Sequence, residues 1–167
     1  MGWFQIGSYP VGEEEGCEPD GLKEAEVYVK KFLEDVQNST GIPSSRIVLG
    51  GFSQGGALAM HVGLNYEGSL GGVLSVSGWW IKRDGGFEVK GGEKKRFLAT
   101  AGTMDKIVGF GLAKKSERAM AELGVEGGWK FFQRKSHGCK KVEVEAVRKW
   151  ISSLSLGESM GGEDGGR

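Results

Sequence analysis

The stretch "RIVLGGFSQGGALAM", residues 46–60, changes character in its middle and thereby limits what the chain can fold into. Its first part, with Ile47, Val48 and Leu49, is a short apolar run of the kind buried on both faces of a sheet. Gly50 and Gly51 interrupt it, a single serine follows, and Gly55 and Gly56 open an alanine- and leucine-rich segment that reads as helix. A strand that turns at once into a helix, with glycines where the backbone must bend tightly, is the corner unit of a layered α/β fold.

The rest of the chain repeats that alternation. Residues 20–38 carry Leu22, Ala25, Val29, Phe32, Leu33 and Val36 at helical spacing, with lysines and glutamates opposite, and Asp20 is the expected N-cap. "TGIPSS" ends that helix. Further segments read as helix at 54–65, strand at 71–77, strand at 96–101, helix at 110–123 and strand at 129–134. A last helix is expected over 140–154, with Val142, Val144, Val147, Trp150, Ile151 and Leu154 as its apolar positions. Four near-continuous apolar strands interspersed with helices predict a parallel sheet with helices on both faces. Chemistry in such sheets collects at the carboxyl ends of the strands, and the lone serine sits at one of them. The expected organisation is one domain over residues 1–155 and a disordered glycine-rich tail over 156–167. The glutamates at 13–15 read as a solvated loop.

Charge narrows the partners. Lys plus Arg (22) equals Asp plus Glu (22), which argues against nucleic acid or an anionic membrane surface as the main partner. No stretch approaches the roughly 20 apolar residues that span a bilayer, so no stable membrane insertion is expected. The first residues have neither a basic start nor a long apolar core, and the Met-Gly start lacks Ser or Thr at the sixth position, which weakens a myristoylation reading. Cys17 and Cys139 are too few and too far apart for a disulfide framework or a zinc site, so a reducing, cytoplasmic setting is the default and no metal is expected.

Gly51-Phe52-Ser53-Gln54-Gly55 fits G-x-S-x-G, the nucleophile elbow, in its required strand–turn–helix setting. The turn would project the Ser53 hydroxyl at a helix N-terminus, where backbone N–H groups favour developing negative charge. A phosphate-binding loop is excluded, because Gly56-Ala57 stands where Lys-Ser/Thr is required. A serine nucleophile needs a base, and the chain has 2 histidines. His61 lies eight residues along the same helix, about 12 Å away, and reads as a surface or packing residue. His137, in "RKSHGC" beyond the last strand, is the reachable base. Between serine and histidine stand Asp84, in the charged loop "IKRDGG" and expected to be solvated, and Asp105, which follows "RFLATA" and emerges on the same edge as Ser53. Asp105 is the expected orienting acid. Trp79 and Trp80, in "SGWWIKR" after the strand that follows the elbow, fit core or lid packing.

These segments resemble the acyl-protein thioesterases, or lysophospholipase-like carboxylesterases, of the α/β-hydrolase superfamily. "GIPSSRIVLGGFSQGGALAMHVGL" resembles that family's nucleophile segment, "GTMDKIVGFGLA" its acid loop and "RKSHGCKKVEVEAVRKWI" its histidine loop and final helix. The opening "GWFQI" is similar to the segment that precedes the nucleophile. The resemblance implies Ser53 as nucleophile, Asp105 as acid, His137 as base and the Gln54 backbone N–H as one oxyanion donor, and it offers Trp79 and Trp80, with Phe110 and Leu112 as weaker candidates, a second reading as a wall for the acyl chain. It implies S-acylated proteins, lysophospholipids or simple carboxylesters as substrates, with no cofactor. It also implies further strands ahead of "WF", the first ending in a Leu-His-Gly loop that supplies a second oxyanion donor. A chain lacking them is expected to be a truncated form, short of about 3 kcal/mol of transition-state stabilisation. Its strand at 47–51 would then be an apolar edge open to self-association. Ala101, Thr103 and Met104 depart from the family's acid loop. Two functions follow as expectations: a serine hydrolase, or a catalytically impaired fragment that binds.

Overall fold

Four apolar runs become the strands of one sheet. The computed structural model describes residues 2–12, 18–81, 95–125 and 127–154. The expectations for the glutamates at 13–15, Cys17, Asp84 and the 156–167 tail lie outside these. The elements are α1 (Leu22–Thr40), a 3₁₀ turn at Ser44–Arg46, β1 (Val48–Phe52), α2 (Gln54–Asn65) and β2 (Gly72–Val76). They continue with β3 (Phe97–Gly102), α3 (Phe110–Glu122), β4 (Gly128–Phe132) and α4 (Lys141–Ser153). The strands are parallel and lie in the order β1-β2-β3-β4, with Phe52 opposite Val76 and Val76 opposite Thr100.

Helices cover both faces of this sheet, and adjacent residues of β2 show it. Val73 meets Gly63 of α2, where a Cβ would lie 2.4 Å from a valine methyl, whereas the Cα of Gly72 faces Trp150 of α4 on the other side. Successive strand residues point to opposite faces, so α2 and α4 must flank the sheet. β3 is buried along its whole length, and β1 and β4, the outer strands, are partly open. The core gathers Met60, Leu64, Val73, Ile81, Phe97 and Met120 between sheet and helices. Among the described residues no helix is long and apolar enough to cross a membrane.

Several expectations change in detail. Asp20 is not the N-cap of α1; Gly21 takes that place at φ 86°, with no side-chain cap. The left-handed turn there frees the Asp20 carbonyl to accept the Gln5 N–H at 2.8 Å, which fastens the N-terminal segment to α1. Phe32, expected on the buried face of α1, is 58% exposed, and Glu26 is buried instead. Val142, Val144 and Ile151 of α4 are also exposed. α4 and the residue after it meet the sheet through Glu143, Trp150 and Leu154, and Val142, Val144 and Ile151 lie off that face. Of the two readings for His61, packing is the one observed. The ring is buried between α2 and α1, with Nε2 3.1 Å from Glu26 Oε2.

Glu26 also takes an ion pair from Lys30, Nζ to Oε1 2.6 Å. Burial raises its pKa, but the hydrogen bonds and charges of Lys30 and His61 outweigh burial and hold the carboxyl below its ordinary value of 4.5. A lowered folded-state pKa contributes stability that is present above the unfolded value and lost as pH falls through the folded one. E26Q should therefore destabilise the protein by about 2 kcal/mol near neutral pH. The difference from wild type should shrink below pH 4.5. Urea unfolding curves at a series of pH values check this; a gap that stays constant down to acid pH would contradict it.

Candidate active site

The backbone turns sharply where β1 passes into α2. Ser53 sits at φ 52° and ψ −120°, outside the regions an L-residue ordinarily occupies. Two backbone hydrogen bonds hold it there: its N–H donates to Val76 of β2 at 2.8 Å, and its carbonyl accepts the Ala57 N–H at 3.0 Å. The glycines around it have unequal work. A Cβ at Gly51 would lie 2.1 Å from the Gly55 carbonyl oxygen, and one at Gly56 would lie 2.8 Å from Ser75 Oγ. Gly78, two residues beyond β2, is packed as tightly against Gly56 and Ala57. Gly55 has nothing closer than Trp3 Nε1 at 3.7 Å. The tight turn needs Gly51 and Gly56; at Gly55 it leaves room for a methyl group.

The Ser53 hydroxyl faces the loop between β4 and α4. His137 Nε2 lies 3.0 Å from Ser53 Oγ, and His137 Nδ1 lies 2.8 Å from Asp105 Oδ2. Asp105 is fixed in turn, because its Oδ1 accepts the backbone N–H groups of Ile107 and Val108, each at 2.9 Å. The Asp105 side chain is 1% exposed and that of His137 17%. A buried carboxylate at Nδ1 sets the neutral imidazole with its proton on Nδ1 and its Nε2 lone pair toward the serine. The Phe52 ring stands 5.0 Å from the imidazole, centroid to centroid. Ser53, Asp105 and His137 thus meet from three different strand ends, beyond β1, β3 and β4.

The loops that carry acid and histidine are bonded to each other. Thr103 N–H donates to the Phe132 carbonyl at 3.1 Å, Arg134 N–H to Thr103 Oγ1 at 3.0 Å, and Met104 N–H to the Lys135 carbonyl at 3.0 Å. Thr103 and Met104 are therefore the residues that join the loop carrying Asp105 to the loop carrying His137.

Gln54, just after the serine, places its backbone N–H in the first turn of α2. Its side chain reaches back to the N-terminal segment, where Oε1 accepts the Trp3 N–H at 2.9 Å and Nε2 donates to the Phe4 carbonyl at 2.6 Å. A shallow groove at Ser53 is consequently lined by Gly2, Trp3, Phe52, Gln54 and Gly55. It adjoins an apolar groove along β1, walled by Tyr28, Phe32, Leu49 and Leu58. The proposed wall residues lie elsewhere. Trp79 is buried edge-on against Phe4, and the Trp80 N–H donates to Ser116 Oγ in the core. Leu112 is buried in α3, and Phe110 packs at right angles on Phe131. Trp3 and the Gln54 side chain were not legible as site residues, since only the folded chain brings residue 3 back to residue 54.

Partial desolvation and the neighbouring Glu143 carboxylate push the Cys139 thiol, on an exposed residue, above its ordinary pKa. Among the described residues no group of three or more His, Cys, Asp or Glu side chains is arranged to hold a metal ion.

The phospholipase/carboxylesterase family profile matches residues 1–155. The chain belongs to that family. It is 32% identical over 149 residues to acyl-protein thioesterase 1 of Emericella nidulans, covering 84% of this chain and 61% of that protein. It is 30% identical over 157 residues to acyl-protein thioesterase 1 of Gibberella zeae, covering 90% of this chain and 66% of that one. It is also 30% identical over 132 residues to lysophospholipase-like protein 1 of Mus musculus, covering 77% and 55%. The chain thus spans between 55% and 66% of the length of these relatives. Among solved structures, Arabidopsis thaliana SOBER1 superposes with a TM-score of 0.79 at 25% identity, covering 90% of this chain and 72% of that one. The Bacillus cereus carboxylesterase, at 20% identity, shares the fold with a TM-score of 0.74, over 92% and 68%. The sheet is that of the α/β hydrolases.

Because the turn at Ser53 depends on Gly51 but not on Gly55, G51A should cost about 3 kcal/mol of stability. G55A, in the first turn of α2, should stay within about 1 kcal/mol of wild type. Equilibrium unfolding of the two variants tests the packing directly; equal losses would contradict it.

Proposed function

We propose that this chain carries the catalytic centre of a serine hydrolase that cleaves acyl esters and thioesters through an acyl-enzyme. The observation that carries the reading is the continuous hydrogen-bond chain from Asp105 through His137 to Ser53, at 2.8 and 3.0 Å, ending on a hydroxyl at the start of a helix. In this reading Ser53 Oγ attacks the acyl carbonyl carbon while His137 Nε2 takes its proton. Asp105 keeps the imidazole in the required tautomer and stabilises its charged form. The Gln54 N–H, aided by the dipole of α2, donates to the carbonyl oxygen as it becomes an oxyanion. His137 then returns the proton to the departing alkoxide or thiolate. A water, deprotonated by the same nitrogen, hydrolyses the acyl-enzyme and frees Ser53.

Relatives named as acyl-protein thioesterases and a lysophospholipase-like protein support S-acylated proteins and lysolipids as substrates, and simple carboxylesters fit the same chemistry. Trp3 and Phe52, on either side of the serine, offer an apolar surface to an acyl chain. No cofactor takes part in these steps.

A fluorophosphonate probe, which reacts with an activated serine, should label the protein, and S53A should abolish labelling. H137A should slow ester hydrolysis at least 10³-fold, and D105N by about 10⁴-fold at neutral pH, the effect of a wrong imidazole tautomer in such a triad. A folded, monodisperse protein without Ser53-dependent labelling would favour the other reading, a catalytically impaired binding fragment.

A further inference from the structure

Beneath the histidine loop lies a buried ion pair that the reaction steps above do not use. Lys135 and Glu143 are both 0% exposed, with Nζ 3.2 Å from Oε1. Each is held again from the sheet: Lys135 Nζ donates to Ser77 Oγ at 2.7 Å, and Thr100 Oγ1 donates to Glu143 Oε1 at 2.6 Å. Glu143 Oε2 is buried without a hydrogen-bond donor, and the Cys139 thiol is the further titratable group that lies toward the carboxylate. A buried lysine and glutamate are costly to desolvate, and a packed apolar pair would serve stability as well. Their position gives them another role.

Lys135 precedes His137 by two residues, and Glu143 follows it by six, in the first turn of α4. The pair therefore closes the base of the loop on which His137 rides. Its Lys135 end cannot drift. The Lys135 carbonyl takes the Met104 N–H from the acid loop, and Gly102 is so close that a Cβ there would lie 2.2 Å from that carbonyl oxygen. Its Glu143 end is fixed by Thr100 of β3, the strand that leads to Asp105. On the exposed side, a weaker tie runs from Lys140 Nζ to the Arg134 carbonyl at 2.8 Å. We propose that Lys135 and Glu143 are a positioning pair that fixes the His137 imidazole at hydrogen-bond distance from both Asp105 and Ser53. This rests on the reading of Ser53 and His137 as nucleophile and base. Neither residue touches substrate; both act through the loop. An imidazole displaced by about 1 Å would cost up to 10²-fold in rate.

The test uses the full chain as wild type, as T100V and as K135M/E143Q, which removes both charges and leaves neither buried alone. Three quantities are read: thermal unfolding, the low-field NMR resonance of the His137 Nδ1 proton, and the rate of Ser53 labelling by a fluorophosphonate. The double variant is expected to unfold cooperatively, to show that resonance broadened or shifted, and to label roughly 10- to 100-fold more slowly. On an ester substrate its kcat should fall with KM nearly unchanged. T100V, which only frees Glu143 from β3, should show the same changes to a smaller degree. A folded double variant with the wild-type resonance and labelling rate overturns the proposal and leaves the pair a purely structural one. If the double variant does not fold, T100V decides, and wild-type values there overturn it. If wild type itself fails to label, the hydrolase reading falls, while the resonance still reports whether the pair holds the ring.

Discussion

The hydrogen bond from the Ser53 N–H to the Val76 carbonyl ties a residue in the left-handed region to the register of its sheet. A non-glycine residue at φ 52° costs about 1–3 kcal/mol and persists only where its surroundings overdetermine it. Here they do so from three sides. β2 lies in parallel register with β1 and presents Val76 at the right point, α2 takes the serine carbonyl into its first turn, and Gly51, Gly56 and Gly78 let three backbones meet at contact distance. Moving β1 by one residue against β2 would remove the acceptor and turn every β1 side chain to the other face. The hydroxyl's position is thus a property of the strand pairing, and the apolar burial that fixes the pairing is what sustains the strain.

The other members of the site follow from the same sheet at increasing distance. Asp105 is fixed by its own turn, with one carboxylate oxygen committed to two backbone N–H groups and the other to the histidine. His137 lies farther from regular structure, on the segment between β4 and α4, and gains its order from contacts with the acid loop rather than from a strand or helix of its own. This division suits the chemistry. In the proposed reaction the orienting carboxylate is kept from water while the imidazole meets both solvent and substrate, and the side-chain exposures of Asp105 and His137, 1% and 17%, run in that order.

Much of this was legible in the residue string, for identifiable reasons. Apolar runs bounded by glycine marked the strands to within a few residues, because strands buried on both faces admit few other sequences. G-x-S-x-G could be read because the turn imposes steric demands on near neighbours, and the chain order Ser, Asp, His left Asp105 and His137 as the residues at strand ends. What stayed hidden depends on what lies across space. Phe32, Val142, Val144 and Ile151 have the periodicity of core residues, yet they are exposed, since periodicity assigns a face without saying whether anything covers it. Glu26 and Glu143 are buried against the usual preference of glutamate, each because a cation from another turn or element meets it. Asp20 had the chemistry of an N-cap, but one glycine in a left-handed conformation moved the helix start past it.

A second serine separates backbone geometry from chemical role. Ser77 follows β2 as Ser53 follows β1, with the same φ of 52°, and its N–H donates to Thr100 of β3 at 2.8 Å as that of Ser53 donates to Val76 of β2. Gly78 follows it, where Gln54 follows Ser53. Yet the Ser77 hydroxyl is buried and accepts a hydrogen bond from Lys135 Nζ, with no imidazole facing it. A hydroxyl that accepts from a cation is disfavoured as a nucleophile, because the ammonium group draws electron density from its oxygen and cannot take its proton. At Ser53 the neighbour is instead an imidazole nitrogen able to accept the hydroxyl proton. The strained turn recurs on adjacent strands, and what differs is the group that the following loop delivers to it. The β4–α4 loop supplies both, Lys135 to the inner serine and His137 to the outer one, so a single loop conformation sets the environment of the two hydroxyls together.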